Sequence, residues 1–96
     1  MAAKDVRTVR VRIEGRVQGV GYRYWTERTA AALGLSGWVR NRRDGSVEAV
    51  FSGTPDKVAD IIVRCRQGPR SAAVTAVASA EEAEVLSPGF ASRPTA

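Results

Sequence analysis

The chain has 96 residues, enough for one domain with a single modest core. It carries one cysteine, Cys65, and no histidine, which excludes an internal disulfide framework, a Cys-based zinc site, histidine metal ligands and a histidine general base. Fifteen Lys plus Arg against ten Asp plus Glu give a net charge of +5, so the expected partners are anions, either phosphate compounds or nucleic acid.

Residues 1–5 read as a ragged terminus. Val9, Val11 and Ile13 alternate with Arg10, Arg12 and Glu14, which predicts a half-buried strand over residues 6–14. The stretch Gly15-Arg16-Val17-Gln18-Gly19-Val20-Gly21-Tyr22-Arg23 then leads into a helical pattern. A strand, a glycine-rich turn and a helix start suit an anion, because successive N–H groups point into the turn and the helix dipole favours negative charge there. Arg23 falls in the first helical turn, with a planar fork that suits phosphate. Taken singly, these features fit a tight strand–helix turn and a solvated arginine equally well.

Tyr22, Trp25, Thr29, Ala32 and Leu33 recur at helical spacing, and Gly34 stops the helix. Residues 36–41 read as a second strand, Asp44-Gly45 as a hairpin turn, and Val47, Ala49 and Phe51 as the alternating side of a third strand. Thr54 as N-cap, Pro55 at N1 and Asp56 beside the dipole open a second helix. Val58, Ile61, Ile62 and Cys65 form its apolar stripe, and Gly68-Pro69 end it. Residues 72–80 read as a fourth strand, Phe90 anchors a short last one, and Arg93 to Ala96 are expected to be loose.

The predicted order is β-α-β-β-α-β. This gives an α+β, ferredoxin-like sandwich: one antiparallel sheet with both helices on the same face, in a single domain spanning residues 1–96 with its core at about 6–92. No apolar run approaches the ~20 residues of a membrane span, and no signal-peptide core is visible at the N-terminus. With the single cysteine, these features lead us to expect a soluble, cytoplasmic protein, monomeric by default.

The glycine loop with Arg23, followed by Gly37-Trp38-Val39-Arg40-Asn41 and Asp44-Gly45-Ser46-Val47-Glu48, resembles the acylphosphatase family over about residues 6–80. The resemblance implies a small, cofactor-free enzyme with this sandwich fold that hydrolyses acyl phosphates to a carboxylate and inorganic phosphate. It places the catalytic residues at Arg23 and Asn41 and the phosphate-binding loop at Gly15, Arg16, Val17, Gln18, Gly19, Val20, Gly21 and Tyr22. It assigns no metal site. The tail departs from the family pattern at Ser92, where an apolar residue is usual.

The chemistry asks for a grip on the phosphoryl oxygens, stabilisation of their charge and a water held in line. Backbone N–H groups over residues 17–22 and the Arg23 fork serve the first two. Asn41 orients a water without acting as a base, so the proton is expected on a substrate phosphoryl oxygen and no phosphoenzyme is expected. Gln18 reads as a brace of the loop, Cys65 as a core residue, and Tyr22, Trp25 and Trp38 as packing aromatics. Arg16, Arg40, Arg42 and Arg43 read as steering charges, with plain solvation an equal reading for Arg42 and Arg43.

Two other functions fit parts of the sequence. RNA-recognition domains share the layout and the charge, but they need stacking aromatics on the central strands, and the first strand here offers Val9, Val11 and Ile13. Nucleic acid is therefore not an expected partner. A carbamoyl-phosphate-handling module is the third reading, since the same domain opens larger carbamoyl-transfer maturation proteins and carbamoyl phosphate is itself an acyl phosphate. Small-molecule acyl phosphates and inorganic phosphate are the expected ligands.

Overall fold

The structure is a computed structural model that describes residues 5–96. Residues 1–4, most of the expected ragged terminus, lie outside the described residues. The elements run β1 (Arg7–Arg16), α1 (Tyr22–Ala32), β2 (Ser36–Asn41), β3 (Val47–Gly53), α2 (Pro55–Cys65), β4 (Ala73–Glu81) and β5 (Phe90–Ser92). The first six follow the predicted order. They form one sheet in the spatial order β4-β1-β3-β2-β5.

The sheet is mixed, where a purely antiparallel one was expected. β1, β3, β2 and β4 pair antiparallel, but β5 lies parallel to β2, with Gly37 opposite Phe90 and Val39 opposite Ser92. The reason is a crossing. β4 is one edge of the sheet and β5 the other, so residues 82–89 travel across the sheet before β5 can pair.

Alternation along β1 decides which face is the core. Val9, Val11 and Ile13 are fully buried, opposite Phe51, Ala49 and Val47 of β3. From α2, Val58, Ile61 and Cys65 are buried in the same cluster, as their spacing predicts. Burying each such aliphatic side chain stabilises the fold by about 1.5–3 kcal/mol.

α1 differs from its predicted stripe. Its buried residues are Tyr22, Thr26 and Ala30, whereas Trp25 and Leu33 are half-buried and Ala32 is exposed. Two of the three, Thr26 and Ala30, are small and let the helix seat closely beyond the buried Tyr22 ring. The buried Thr26 hydroxyl is satisfied by donating to the Tyr22 carbonyl at 2.8 Å. Gly34, in a left-handed conformation, ends α1, with its N–H bonded to the Ala31 carbonyl and that of Leu35 to the Ala30 carbonyl. Thr54 sits at the N-cap of α2, but its side chain makes no cap hydrogen bond there.

The face away from the helices is not bare. Trp38 projects from it and is only 3% exposed, because the crossing segment covers it. Its indole N–H donates to Glu84 at 3.3 Å, and the guanidinium groups of Arg93, Arg40 and Arg10 stand 4.5, 4.8 and 5.8 Å from its ring. Charge neutralisation accompanies this. Glu48 pairs with Arg10, Arg40 and Arg42, and Glu82 pairs with Arg10.

Candidate active site

The loop after β1 is built by two glycines. Gly19 (φ 73°) and Gly21 (φ 81°) are left-handed, and a Cβ at either would meet no atom within 4 Å. Backbone conformation, not space, therefore requires glycine there. Val17 is buried beneath the loop and anchors it to the core.

Gly21 is also the N-cap of α1, with no side-chain cap and no acidic residue in the first turn. The Trp25 N–H, bonded to the Gly21 carbonyl at 3.0 Å, is the first in the helix to find a backbone partner. Among the described residues, no turn or cap hydrogen bond takes an N–H from residues 18–24. A helix start left this way is a row of donors at the positive end of a dipole.

Arg23 stands in this first turn, half-buried, and makes no salt bridge or side-chain hydrogen bond among the described residues. Asn41 ends β2 opposite Val47, on the strand side that also carries Val39. Its side-chain amide has no protein partner among the described residues, although its backbone carbonyl accepts the Ala96 N–H at 3.1 Å. A cavity of about 180 Å³ is lined by Val17, Gln18, Gly19, Gly21, Tyr22, Arg23, Tyr24 and Asn41. Two residues far apart in sequence, Arg23 and Asn41, thus face one small space together with the unbonded loop.

Gln18 explains how the two halves keep their distance. Its Nε2 donates to the carbonyls of Arg42 at 2.7 Å and Ser46 at 2.8 Å, bridging the loop to the turn that follows Asn41. Tyr22 fastens the other side. Its ring is buried, its hydroxyl donates to the Cys65 carbonyl at 2.6 Å, and burial pushes the phenol pKa up.

The family model for acylphosphatase matches residues 9–91, which include every one of these side chains. The chain belongs to the acylphosphatase family. The acylphosphatase of Nitrobacter hamburgensis is 56% identical over 89 residues, covering 86% of this chain and 90% of its own. Among solved structures, an acylphosphatase from Coxiella burnetii superposes with a TM-score of 0.90 at 33% identity, covering 94% of this chain and 95% of its own. That of Bacillus subtilis gives 0.85 at 30% identity, covering 93% and 99%. Members are hydrolases acting on acyl phosphates, and the ferredoxin-like sandwich expected from the sequence is the fold that these neighbours share.

Three residues of the expected loop do not line the cavity of this acylphosphatase. Gly15 and Arg16 belong to β1, paired with Val74 and Ala73 of β4 past a register shift after Glu14. Gly15 is glycine for a different reason from its neighbours. At φ 123°, a Cβ there would lie 2.3 Å from the Ala73 carbonyl oxygen. Val20 turns away, packs against the core and lines an adjacent groove. Tyr24 was missed by the sequence reading. The signal available was an exposed aromatic next to Arg23 and off the core stripe of α1.

Of the four arginines expected to steer anions, two are engaged. Arg40 and Arg42 pair with Glu48. Burial opposes ionisation of Glu48, but hydrogen bonds from Arg40 and Arg10 outweigh it and hold the carboxyl below its usual range. Asp44 sits lower still, at about 2, because the Ser46 hydroxyl and N–H both donate to it and Arg12 stands alongside.

Two further expectations meet the structure here. Cys65 is fully buried, and desolvation pushes its thiol up to about 12, so it is a core residue. The tail, expected to be loose, is tied along β2. The Arg93 N–H bonds to the Val39 carbonyl at 2.8 Å, the Ala96 N–H to that of Asn41, and the Arg43 N–H to the Ala96 carbonyl at 3.0 Å. Backbone pairing of this kind depends on the strand edge it meets and leaves no residue-type signal. Ser92, the departure from the family pattern, directs its hydroxyl to Glu27 of α1 at 3.3 Å.

Proposed function

We propose that this acylphosphatase holds the phosphoryl group of an acyl phosphate in the loop of residues 17–22 and hydrolyses it with Arg23 and Asn41. The observation that carries this reading is the convergence on one cavity of N–H groups, an arginine and an asparagine amide that, among the described residues, have no turn or cap bond, no anionic partner and no protein partner respectively. Donors that are unmatched in the free protein are those a phosphate would satisfy.

The N–H groups at the start of α1 receive the equatorial oxygens. Arg23 adds charge-assisted bonds from its fork, and a bond that strengthens as charge develops in the transition state supplies about 3–4 kcal/mol, or roughly 10²–10³-fold in rate. Asn41 accepts a hydrogen bond from water through its amide oxygen and holds the water in line with the leaving carboxylate. The water oxygen bonds to phosphorus, and the phosphorus–oxygen bond to the acyl group breaks. One water proton stays on the new hydroxyl and the other passes to a phosphoryl oxygen. An acyl phosphate dianion and water thereby become a carboxylate and dihydrogen phosphate. No protein base is required, which fits a chain without histidine.

Hydrolysis of benzoyl phosphate by the wild type and by Arg23→Ala tests the reading. The expected result is turnover by the wild type and a loss of at least 10² in kcat for the folded variant. A folded, inert wild type, or a fully active variant, overturns it.

A further inference from the structure

The phosphate cavity opens onto a larger space. A groove of about 560 Å³ runs along the outer side of α1, and Gly21 and Tyr24 line both it and the cavity. Trp25 and Ala32 of α1 and Pro69 after α2 make its walls apolar. Two guanidinium groups border it, and they differ. Arg64 is held by Asp60 through bonds of 2.8 and 3.4 Å. Arg28 has no salt bridge or side-chain hydrogen bond among the described residues. Its near neighbour is the ring of Tyr24, 5.4 Å from the guanidinium carbon.

We propose that this groove is the subsite for the acyl part of the substrate, and that Arg28 favours acyl groups bearing an anionic substituent remote from the phosphate. The inference rests on the reading of the adjacent cavity as the phosphate site. A phosphoryl group seated beside Gly21 and Arg23 leaves its acyl group at the mouth, and the surface that continues from there is the groove. Its apolar walls suit a hydrocarbon or aromatic body. The uncompensated cation above them suits a carboxylate at the far end, which a ring stacked near Tyr24 would carry toward Arg28. The groove is far larger than an acetyl or carbamoyl group requires, so small acyl phosphates would leave it empty.

The test compares kcat/KM for 4-carboxybenzoyl phosphate, 4-methylbenzoyl phosphate and acetyl phosphate. Arg28→Gln, at an exposed position, is expected to lower the carboxy-to-methyl ratio by about three- to fivefold, the size of one exposed ion pair, with acetyl phosphate unchanged. Ala32→Trp, which fills the groove from an exposed position, is expected to lower both aryl substrates while sparing acetyl phosphate. An unmoved ratio in Arg28→Gln, together with equal effects of Ala32→Trp on all three substrates, overturns the subsite while leaving the phosphate site standing. Acetyl phosphate turnover that survives Arg23→Ala overturns the phosphate site and the subsite with it.

Discussion

Gln18 donates its side-chain amide to the Arg42 carbonyl at 2.7 Å, joining the loop after β1 to the turn after β2. The same nitrogen reaches the Ser46 carbonyl at 2.8 Å. One side chain thus sets the separation between the N–H row of α1 and the amide of Asn41. Both carbonyls keep a second donor, from the Gly45 and Arg42 N–H groups, so neither is orphaned when Gln18 is removed. Gln18→Ala should therefore cost only about 1–2 kcal/mol of stability, read by urea unfolding. Its kcat should fall about tenfold through misplacement. A variant that loses stability but keeps its kcat would reduce Gln18 to a structural brace.

The glycines separate by mechanism. Gly21→Ala meets no neighbouring atom but must hold φ near 81°, a strain of about 1–2 kcal/mol. Gly15→Ala adds a collision with the Ala73 carbonyl and should be the more destabilising of the two. Thermal melts of the pair check the order, and a Gly21→Ala that melts below Gly15→Ala contradicts it.

Arg23→Lys preserves charge and discards the fork. If planar, two-pronged contact with the phosphoryl group is what matters, the lysine variant should retain little of the arginine's contribution and sit within about tenfold of Arg23→Ala in kcat. Recovery of most of the wild-type rate would mean that a point charge suffices.

Acid should unfold this protein partly through its hairpin. Asp44 has a folded pKa of about 2 against an ordinary 3.8, so its contribution is present above the ordinary value and is lost as pH falls toward 2. Glu48 shifts in the same direction. In Asp44→Asn, the fall in Tm between pH 5 and pH 2 should be shallower than in the wild type. Parallel curves would show that the Ser46 bonds do not discriminate between folded and unfolded chains.

Cys65 is sealed in the core with its thiol pushed up to about 12. A thiol reagent at pH 8 should label it only at the rate of global opening, and Cys65→Ser should keep its kcat while losing about 1–3 kcal/mol from the buried hydroxyl. Rapid labelling of native protein would rule out that placement.

Much of this was legible from residue order. The alternation of Val9, Val11 and Ile13, the Asp44-Gly45 turn and the stripe of Val58, Ile61 and Cys65 are local patterns, and the structure follows them. The glycine loop and Arg23 were legible because positive φ and a helix start leave marks in sequence. What stayed hidden depends on meetings between distant segments. The inward turn of Thr26 and Ala30 reflects how closely α1 seats, the cover over Trp38 depends on a chain crossing, and the ties of Arg93 and Ala96 are made by backbone alone. Gly15 reads as a loop glycine in the sequence because spacing cannot tell a bulged strand from a turn.

The parallel pairing of β5 bears on the order of events in folding. Gly37 meets Phe90 and Asn41 meets Ala96 only after more than half the chain has been gathered in, whereas the β2–β3 hairpin closes over a few residues. Long closures lose entropy before any contact compensates. The hairpin that presents Asn41 can thus form early, while the strand that clamps its outer edge docks late. Synthesis on the ribosome delays it further, since Phe90 to Ala96 emerge after the β2–β3 hairpin and both helices.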